Sequence, residues 1–524
     1  LGGLLRQLDE LSPSGMKAAE VIEARKKELA RSGVHVHLST TVETIGGVVG
    51  NFVARLSDGQ ELQVGAVVMA TGAVPYSPVE FDYGSNPRVI TNLQLEELLQ
   101  KNVIDAERIT MISCVGSREG DIGCSRYCCS SMVGQALRLR QMGKKVRVVS
   151  KDIRTYSRQA EELYEQAMRA GVQFFRYDSN LPPREAITLQ DGVVSFTDTL
   201  LNAQVHIPTD LVVLVVGLQP TQDHIAEQLR LSRSADGFLM ELHPKLGPVE
   251  TAVQGVFLAG TAQGAKDVRE AVAQGMAAAA KAGALLAQGV IEKEPLTAQV
   301  DPDKCIGCMG CVKVCPFNAI EPTGPVREGK VRILEAACMG CGTCAAECTN
   351  DAITMPFFTK EQILAQIDAA LAQNPEEKCI VFTCNWCSYA GADLAGIEKR
   401  QYPPSSRIIR TMCSGRFERD FIEHAFEKGA GAVLVTGCRL TETGSDCHYN
   451  YANRQTLKRF QFWHRRLTRS GLEPERLQLQ WISAAEGKEF AEKLKEMDEV
   501  VQRYAQKVRS GEAAISQPVH SGGE

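Results

Sequence analysis

The sequence predicts an α/β protein of several modules, and three observations predict it. Apolar runs such as Asp210-Leu-Val-Val-Leu-Val-Val-Gly217 alternate with helical patterns, as in parallel sheets with helical crossovers. The 524 residues, 44% hydrophobic and 23% charged, are enough for three or four domains, each with a core. Eighteen cysteines fall in tight groups. At that number and spacing they read as ligands of metal or of iron–sulfur clusters rather than as a disulfide framework.

Taken in order, a helical pattern runs from Ser12 or Ser14 as N-cap through Ala19, Val21, Ile22 and Leu29 to Gly33. His35 to Leu38 reads as a strand, with both histidines as ordinary strand residues. Two more strands flank the Asp58-Gly59 turn, and the last ends in Ala66-Val-Val-Met-Ala-Thr-Gly72. This first part, 1–107, suits a dinucleotide domain. Residues 108–215 form a second βαβ unit: strand Ile109 to Ser113, a Cys-rich loop, helix Ser131 to Met142 and strand Lys145 to Ser150. Lys151-Asp-Ile-Arg154 reads as a solvated strand end. The stretch 216–297 returns to the first domain through Val256-Phe-Leu-Ala-Gly260 and a helix from about Asp267 to Ala287, before a polar linker at Glu292-Lys-Glu-Pro295. Residues 298–357 hold an internal repeat. A third α/β unit, 376–508, has strands near 379–383, 406–412, 431–436 and 478–483 and helices near 361–373, 418–428, 452–470 and 487–507. The tail, 509–524, is expected to be disordered.

Lys plus Arg total 58 against 63 Asp plus Glu, a net charge of −5, which gives no electrostatic footprint for a nucleic acid or an anionic membrane. No apolar run is long enough to span a bilayer, which fits a cytoplasmic protein. The chain opens Leu1-Gly-Gly3, with neither an initiator Met nor a signal peptide, and reads as a fragment lacking its N-terminus.

The strongest motif is the repeat. Cys305-Ile-Gly-Cys308-Met-Gly-Cys311-Val-Lys-Val-Cys315 recurs 33 residues later as Cys338-Met-Gly-Cys341-Gly-Thr-Cys344-Ala-Ala-Glu-Cys348. Three cysteines at this spacing wrap one cube and the fourth reaches the other. The expected sets are Cys305, Cys308, Cys311 and Cys348 for one 4Fe-4S cluster, and Cys338, Cys341, Cys344 and Cys315 for its neighbour. Pro316 fits the pattern and Thr349 departs from it without removing a ligand. Structural zinc would need paired C-x-x-C or histidine, and this segment has no histidine.

A second group, Cys114-Val-Gly-Ser-Arg118 with Cys124-Ser-Arg-Tyr-Cys128-Cys129, stands where a dinucleotide domain would carry its phosphate-binding glycines. Four thiols in sixteen residues suit a further cluster; a reactive-thiol or zinc loop is the alternative. A third group, Cys384, Cys387, Cys413, Cys438 and Cys447, follows successive strands, so parallel strands would bring these thiols to one sheet edge. Five candidates for four ligands point to 2Fe-2S with one to spare; a redox disulfide would explain Cys384 and Cys387 alone. Cys379, inside a strand, reads as core. Ala70-Thr71-Gly72 and Gly260-Thr261-Ala262-Gln263-Gly264 are turns that backbone could present to a dinucleotide, though either alone is more often a plain strand–helix turn.

These residues resemble known families. Cys114 to Arg118, Cys124 to Cys129, Asp152-Ile-Arg-Thr-Tyr156 and Gly255 to Gly264 resemble the flavin-containing A-type chain of heterodisulfide reductase. Cys384-Asn-Trp-Cys-Ser-Tyr389, Met412-Cys-Ser-Gly-Arg416 and Gly437-Cys438 through Cys447-His-Tyr449 resemble the delta subunit of methyl-viologen-reducing hydrogenase, a 2Fe-2S protein. The order of modules is also similar to the B-type chain of the quinone-interacting membrane-bound oxidoreductase. The resemblance implies a thioredoxin-reductase-like pair of domains with the FAD domain incomplete, a two-cluster ferredoxin domain and an α/β 2Fe-2S domain. It places FAD against Gly2 and Gly3, Ala70 to Gly72 and Gly260 to Gly264, and a third 4Fe-4S cluster at Cys114, Cys124, Cys128 and Cys129. The missing glycine-rich turn implies weak or lost FAD binding. A cysteine segment usual after Leu-Gly-Gly is replaced by Ser12-Pro-Ser-Gly-Met-Lys17. The implied function is electron relay between a hydrogenase or formate dehydrogenase and heterodisulfide reductase B- and C-like subunits, with flavin-based bifurcation as an extension. A quinone-linked subunit, membrane-associated only through partners, and a zinc-bound scaffold are the alternatives.

Overall fold

The computed structural model describes residues 1–441 and 444–513. The expected tail therefore lies outside the described residues from 514 onward. A five-stranded parallel sheet has the order Gln173–Arg176, Lys145–Ser150, Arg108–Val115, Leu211–Val216, Val89–Thr91. Its central strands are continuous apolar runs because both faces are covered; every residue of Leu211–Val216 is buried. The helix Cys128–Gln141 packs Met132, Val133, Ala136 and Leu139 on one of those faces. Beyond the other face an antiparallel sheet, Ile187–Gln190, Val193–Asp198 and Ala203–Pro208, supplies Val194, Phe196 and Ile207 to a second core.

The flanking segments form an antiparallel meander, Val42–Val48, Asn51–Leu56 and Glu61–Val64, and the strand Val67–Met69 pairs in parallel with Val256–Leu258. That pairing joins residues almost 190 positions apart and sets the two glycine-containing turns side by side. A Cβ at Gly72 would lie 3.8 Å from Thr261 Oγ1.

Three expectations fail here. The first helix is Ala18–Arg31, not one capped at Ser12 or Ser14: Ser14 Oγ donates to the Leu11 carbonyl, closing a hairpin of Glu10–Leu11 and Met16–Lys17. His35 to Leu38 is not a strand. No described strand pairs with it, and Val34 and Leu38 stay 58% and 66% exposed. Lys151 to Arg154 is solvated only toward Arg154: Lys151 is 5% exposed and its Nζ donates to the Arg118 carbonyl at 3.0 Å.

In the repeat, both copies bend identically. Gly307 and Met309 in the first, and Gly340 and Gly342 in the second, adopt left-handed backbone, followed by the short helices Gly310–Val314 and Thr343–Glu347. Gly340 has no room for a side chain, because a Cβ would meet the Leu296 carbonyl oxygen.

The C-terminal unit is a four-stranded parallel sheet, Ser406–Thr411, Cys379–Cys384, Ala432–Gly437 and Leu477–Trp481. Helices Lys360–Ala370, Arg419–Glu427 and Ala452–Arg469 contribute Ile363, Phe421 and Leu467 to one face. Ser388–Ile397 and Gly487–Arg509 contribute Ala395, Phe490 and Leu494 to the other. Strand Cys379–Cys384 has neighbours reached by crossovers on both sides, so its carboxyl end opens at a switch point, where α/β sheets bind ligands.

Candidate functional site: four thiol constellations

All eighteen cysteines are free. Among the described residues no three His, Cys, Asp or Glu side chains close on the position of a single metal ion. Fit to multi-iron clusters rests instead on which thiols converge and on what their sulfurs accept.

In the repeat, Cys311 lies near Cys308, Cys348 and Cys305, and Cys344 near Cys341, Cys315, Cys338 and also Cys311. The eight repeat cysteines thus lie together, and those of each expected set are neighbours. Cys315, Cys338, Cys341 and Cys344 line one small cavity with Phe317, Ile333 and Met355. Backbone N–H groups donate to the sulfurs: Ala319 to Cys315 Sγ at 3.3 Å, Ala352 to Cys348 Sγ at 3.3 Å, and Ala298 to Cys338 Sγ at 3.4 Å. Such donors stabilise thiolate and suit cluster ligation. Burial opposes them, pushing the Cys341 thiol up to about 12 and that of Cys311 to about 11.

A thiol with a raised pKa is protonated throughout the neutral range, and an iron ligand must be a thiolate, so loading displaces protons. Iron affinity of the cluster-free chain is therefore expected to rise with pH, about tenfold per pH unit for each proton displaced. Anaerobic pH-stat titration with ferrous iron and sulfide checks it: loading independent of pH would show that the buried thiols are already ionised.

At the end of strand Arg108–Val115, Cys114 adopts left-handed backbone, and Cys124, Cys128 and Cys129 gather around it. Cys128 and Cys129 form the first turn of helix Cys128–Gln141. The Cys128 thiol donates to Cys129, lowering the latter to about 7. Arg118 pairs with Asp152 beside Cys114, and Arg126 lies 4.8 Å over the Tyr156 ring while pairing with Glu270. Sequence reasoning missed these roles for Lys151, Asp152 and Arg126, although Arg126 and Asp152 stand inside the motifs that carry the resemblance.

The segments expected to line a flavin converge as well. Leu4, Ala265 and Tyr127 pack around Ala73, Leu218 and Phe238, which brings the Gly2-Gly3 segment next to both turns. Gly264 faces open space, and Gly72 nearly so, leaving backbone that a ligand can approach. The turn at Gly260–Ala262 does not open the long helix, however. Lys266 Nζ donates to the Gly260 and Gly264 carbonyls, and the helix Val268–Gln288 begins after a capping box formed by Asp267 and Glu270. The Asp267 carboxylate already caps this helix N-terminus, where a phosphate would otherwise be favoured. Burial lowers the Lys266 ammonium to about 8.

The five C-terminal thiols meet at the sheet's carboxyl edge. Cys384 and Cys438 lie 3.7 Å apart, and the contacts continue from Cys384 to Cys413, Cys413 to Cys447 and Cys447 to Cys438. These four close a ring. Cys387, partly exposed, lies beside Cys438, and its backbone N–H faces the Cys384 sulfur. Thiol donors from Cys413 and Cys438 hold Cys384 and Cys447 well below the ordinary range. The Gly415 N–H donates to Cys413 Sγ at 3.2 Å. Trp386 stacks on His448 at 3.9 Å and donates to Tyr449 Oη at 2.8 Å, shielding the ring. Cys379 lies away from this edge in the opposite core.

The ring and the second half of the repeat share one buried cluster that contains Cys341, Cys344, Cys384, Cys413, Cys438 and Cys447. The Cys341 thiol donates to Thr343 Oγ1 at 3.4 Å, and a Cβ at Gly415 would collide with that same oxygen. Thr343 and Gly415 thus stand between the two thiol sets. Asn450 Nδ2 donates to the Pro316 carbonyl at 3.2 Å and its Oδ1 accepts from Ser232 Oγ at 3.1 Å, tying the three segments together.

Fold and sites define an iron–sulfur protein of α/β architecture. A family model described as a 4Fe-4S binding domain matches residues 298–321, and one described as the methyl-viologen-reducing hydrogenase delta subunit matches residues 379–504. The A-type chain of ferredoxin:CoB-CoM heterodisulfide reductase from Methanosarcina mazei is 39% identical over 84% of this chain and 58% of its own length. The A-type chain of the ferredoxin/F(420)H(2)-dependent CoB-CoM heterodisulfide reductase from Methanosarcina acetivorans gives the same values. The chain is homologous to these A-type heterodisulfide reductase chains and carries a delta-subunit domain at 379–504. It spans somewhat over half the length of those relatives. T. acidophilum thioredoxin reductase covers 55% of this chain and 87% of its own at 15% identity, with a TM-score of 0.39. No helix among the described residues is long and apolar enough to cross a membrane.

Proposed function

We propose that this chain is an electron-transfer subunit of a multi-subunit flavin and iron–sulfur oxidoreductase of the heterodisulfide reductase class. It relays electrons between a hydrogenase- or formate-dehydrogenase-type donor at the C-terminal unit and heterodisulfide reductase B- and C-like subunits. The observation that carries this is the single buried cluster holding thiols of both the repeat and the ring. Clusters carry electrons singly, and FAD accepts one or two.

The residues divide the work. Cys305, Cys308, Cys311 and Cys348 would hold one 4Fe-4S cluster, Cys338, Cys341, Cys344 and Cys315 a second, and Cys114, Cys124, Cys128 and Cys129 a third. Cys384, Cys413, Cys438 and Cys447 would hold 2Fe-2S, with Cys387 the spare. The Ala298, Ala319, Ala352 and Gly415 amides tune the sulfurs by donation. Trp386, Tyr449 and the surrounding core exclude water from the ring. FAD would lie against Ala70 to Gly72 and Gly260 to Gly264.

The test is iron, acid-labile sulfide, zinc and flavin per chain on anaerobically purified protein, with electron paramagnetic resonance after dithionite reduction. About fourteen iron atoms are expected, from three cubes and one pair. Zinc in place of iron would remove the redox function and leave an assembly scaffold.

A further inference from the structure

Three cations rest on backbone carbonyls of the repeat cysteines. Lys293 Nζ donates to the Glu335 carbonyl at 3.1 Å, to the Ala336 carbonyl at 3.0 Å and to the Cys338 carbonyl. An ammonium carries three N–H donors, so all of them are spent on this turn and none remains for a substrate. Arg230, just past the helix His224–Gln228, donates to the Cys315 carbonyl and to the Tyr451 hydroxyl. Lys330 donates to the Cys305 carbonyl. Cys305 and Cys338, the first cysteines of the two copies, thus each carry a lysine on the carbonyl, but in unlike surroundings. Lys330 is exposed, whereas Lys293 and Arg230 are partly buried.

The difference extends to counter-charges. Other cations beside the repeat are neutralised, Lys360 by Asp351 and Asp420, and Arg459 by Glu347. Neither Lys293 nor Arg230 pairs with a carboxylate among the described residues. A cation taken out of water without an opposite charge is costly. The opposite charges that act on these two are thiolates of one set, Cys338 at Lys293 and Cys315 at Arg230. Two cations from segments outside the repeat therefore meet on the set Cys315, Cys338, Cys341 and Cys344, which faces the ring across Thr343 and Gly415.

We propose that Lys293 and Arg230 set the reduction potential of the cluster held by Cys315, Cys338, Cys341 and Cys344, raising it by their fixed positive charge. The inference rests on the reading of the repeat as a pair of four-iron sites. Such a cube takes up one electron with no bond made or broken and gains one unit of negative charge. Burial, as at Cys341 and Cys344, disfavours that added charge and lowers the potential. A cation held in place nearby favours it. Lys293 and Arg230 thus offset, at the cluster next to the ring, what burial costs the extra electron. Lys330 stands in water and is screened, so the twin cluster receives much less of this effect.

The cluster-loaded full chain is titrated anaerobically with dithionite while electron paramagnetic resonance follows each reduced cluster. A unit charge about 10 Å from a redox centre, at an effective dielectric constant of about 20, changes a one-electron equilibrium by about tenfold or more. Lys293→Gln and Arg230→Gln are each expected to make reduction of one and the same repeat cluster about tenfold less favourable, a fall of about 59 mV. Lys293→Arg and Arg230→Lys keep the charge and should leave that potential close to the parent value. Lys330→Gln should move the other cluster by much less. Unchanged potentials in both glutamine variants, or shifts in two different clusters, overturn the proposal. So does an equal fall in the charge-keeping variants, which would show that the side chains only shape the turns. Should Lys293→Gln lose its cluster, Arg230→Gln against Arg230→Lys decides by the same criterion. A parent chain without iron in the repeat overturns instead the reading beneath, and the iron assay shows this before any titration.

Discussion

Cys413→Ala is expected to lower bound iron from about fourteen to about twelve atoms per chain, whereas Cys387→Ala should leave it at about fourteen. The distinction comes from the contacts. Cys413 touches both Cys384 and Cys447, is fully buried, and accepts the Gly415 amide on its sulfur. Cys387 sits partly exposed at the rim, beside Cys438. Removing a ring member leaves three ligands for a pair of irons that takes four, while removing the rim thiol leaves the ring whole. Iron and sulfide analysis with the 2Fe-2S resonance of the reduced protein reads the result. Loss of two irons from Cys387→Ala, with retention in Cys413→Ala, would replace the ring by a set that includes the C-x-x-C pair.

The ring members could be proposed from sequence, but their closure could not. Parallel strands buried on both faces are written as unbroken apolar runs, so Cys379–Cys384, Ala432–Gly437 and the cysteines just past them were legible. Likewise, the repeat fixes its own bends, because both copies place glycine or Met309 where left-handed backbone is required. What failed depended on partners distant in sequence. His35 to Leu38 has a strand's composition, but a strand is a pairing, and no described neighbour completes it. Lys151 looked solvated because the loop that buries it, at Arg118, lies more than thirty residues away. The fit of Gly342 against Arg416 and of Gly415 against Thr343 joins two units over some seventy residues, and no local pattern announces it.

That junction also holds a buried ion pair, and breaking it should have a large effect. Arg416 and Glu418 are bonded with side chains 4% and 10% exposed, and a Cβ at Gly342 would lie 2.7 Å from Arg416 Cδ. Arg416 further lies 4.8 Å over the Phe421 ring. Burial pushes the Glu418 carboxyl up, with Arg416 opposing it. The pair is not fully satisfied: Arg416 Nε and Glu418 Oε1 have no hydrogen-bond partner. Two desolvated charges that neutralise each other stabilise little net, but one left alone is costly. Glu418→Ala is therefore expected to destabilise the C-terminal unit by about 3–5 kcal/mol, and Arg416→Met added to it should recover most of the loss. All three tryptophans, Trp386, Trp463 and Trp481, lie in this unit, so fluorescence-monitored urea unfolding reports on it alone. Additive losses in the double variant would show that packing, not the uncompensated charge, carries the effect. Recovery would mean that the two charges are held for placement: Arg416 is wedged between the Cys341-Gly342-Thr343 turn and the Cys413 turn, where an apolar side chain could restore stability without fixing the separation of the two thiol sets.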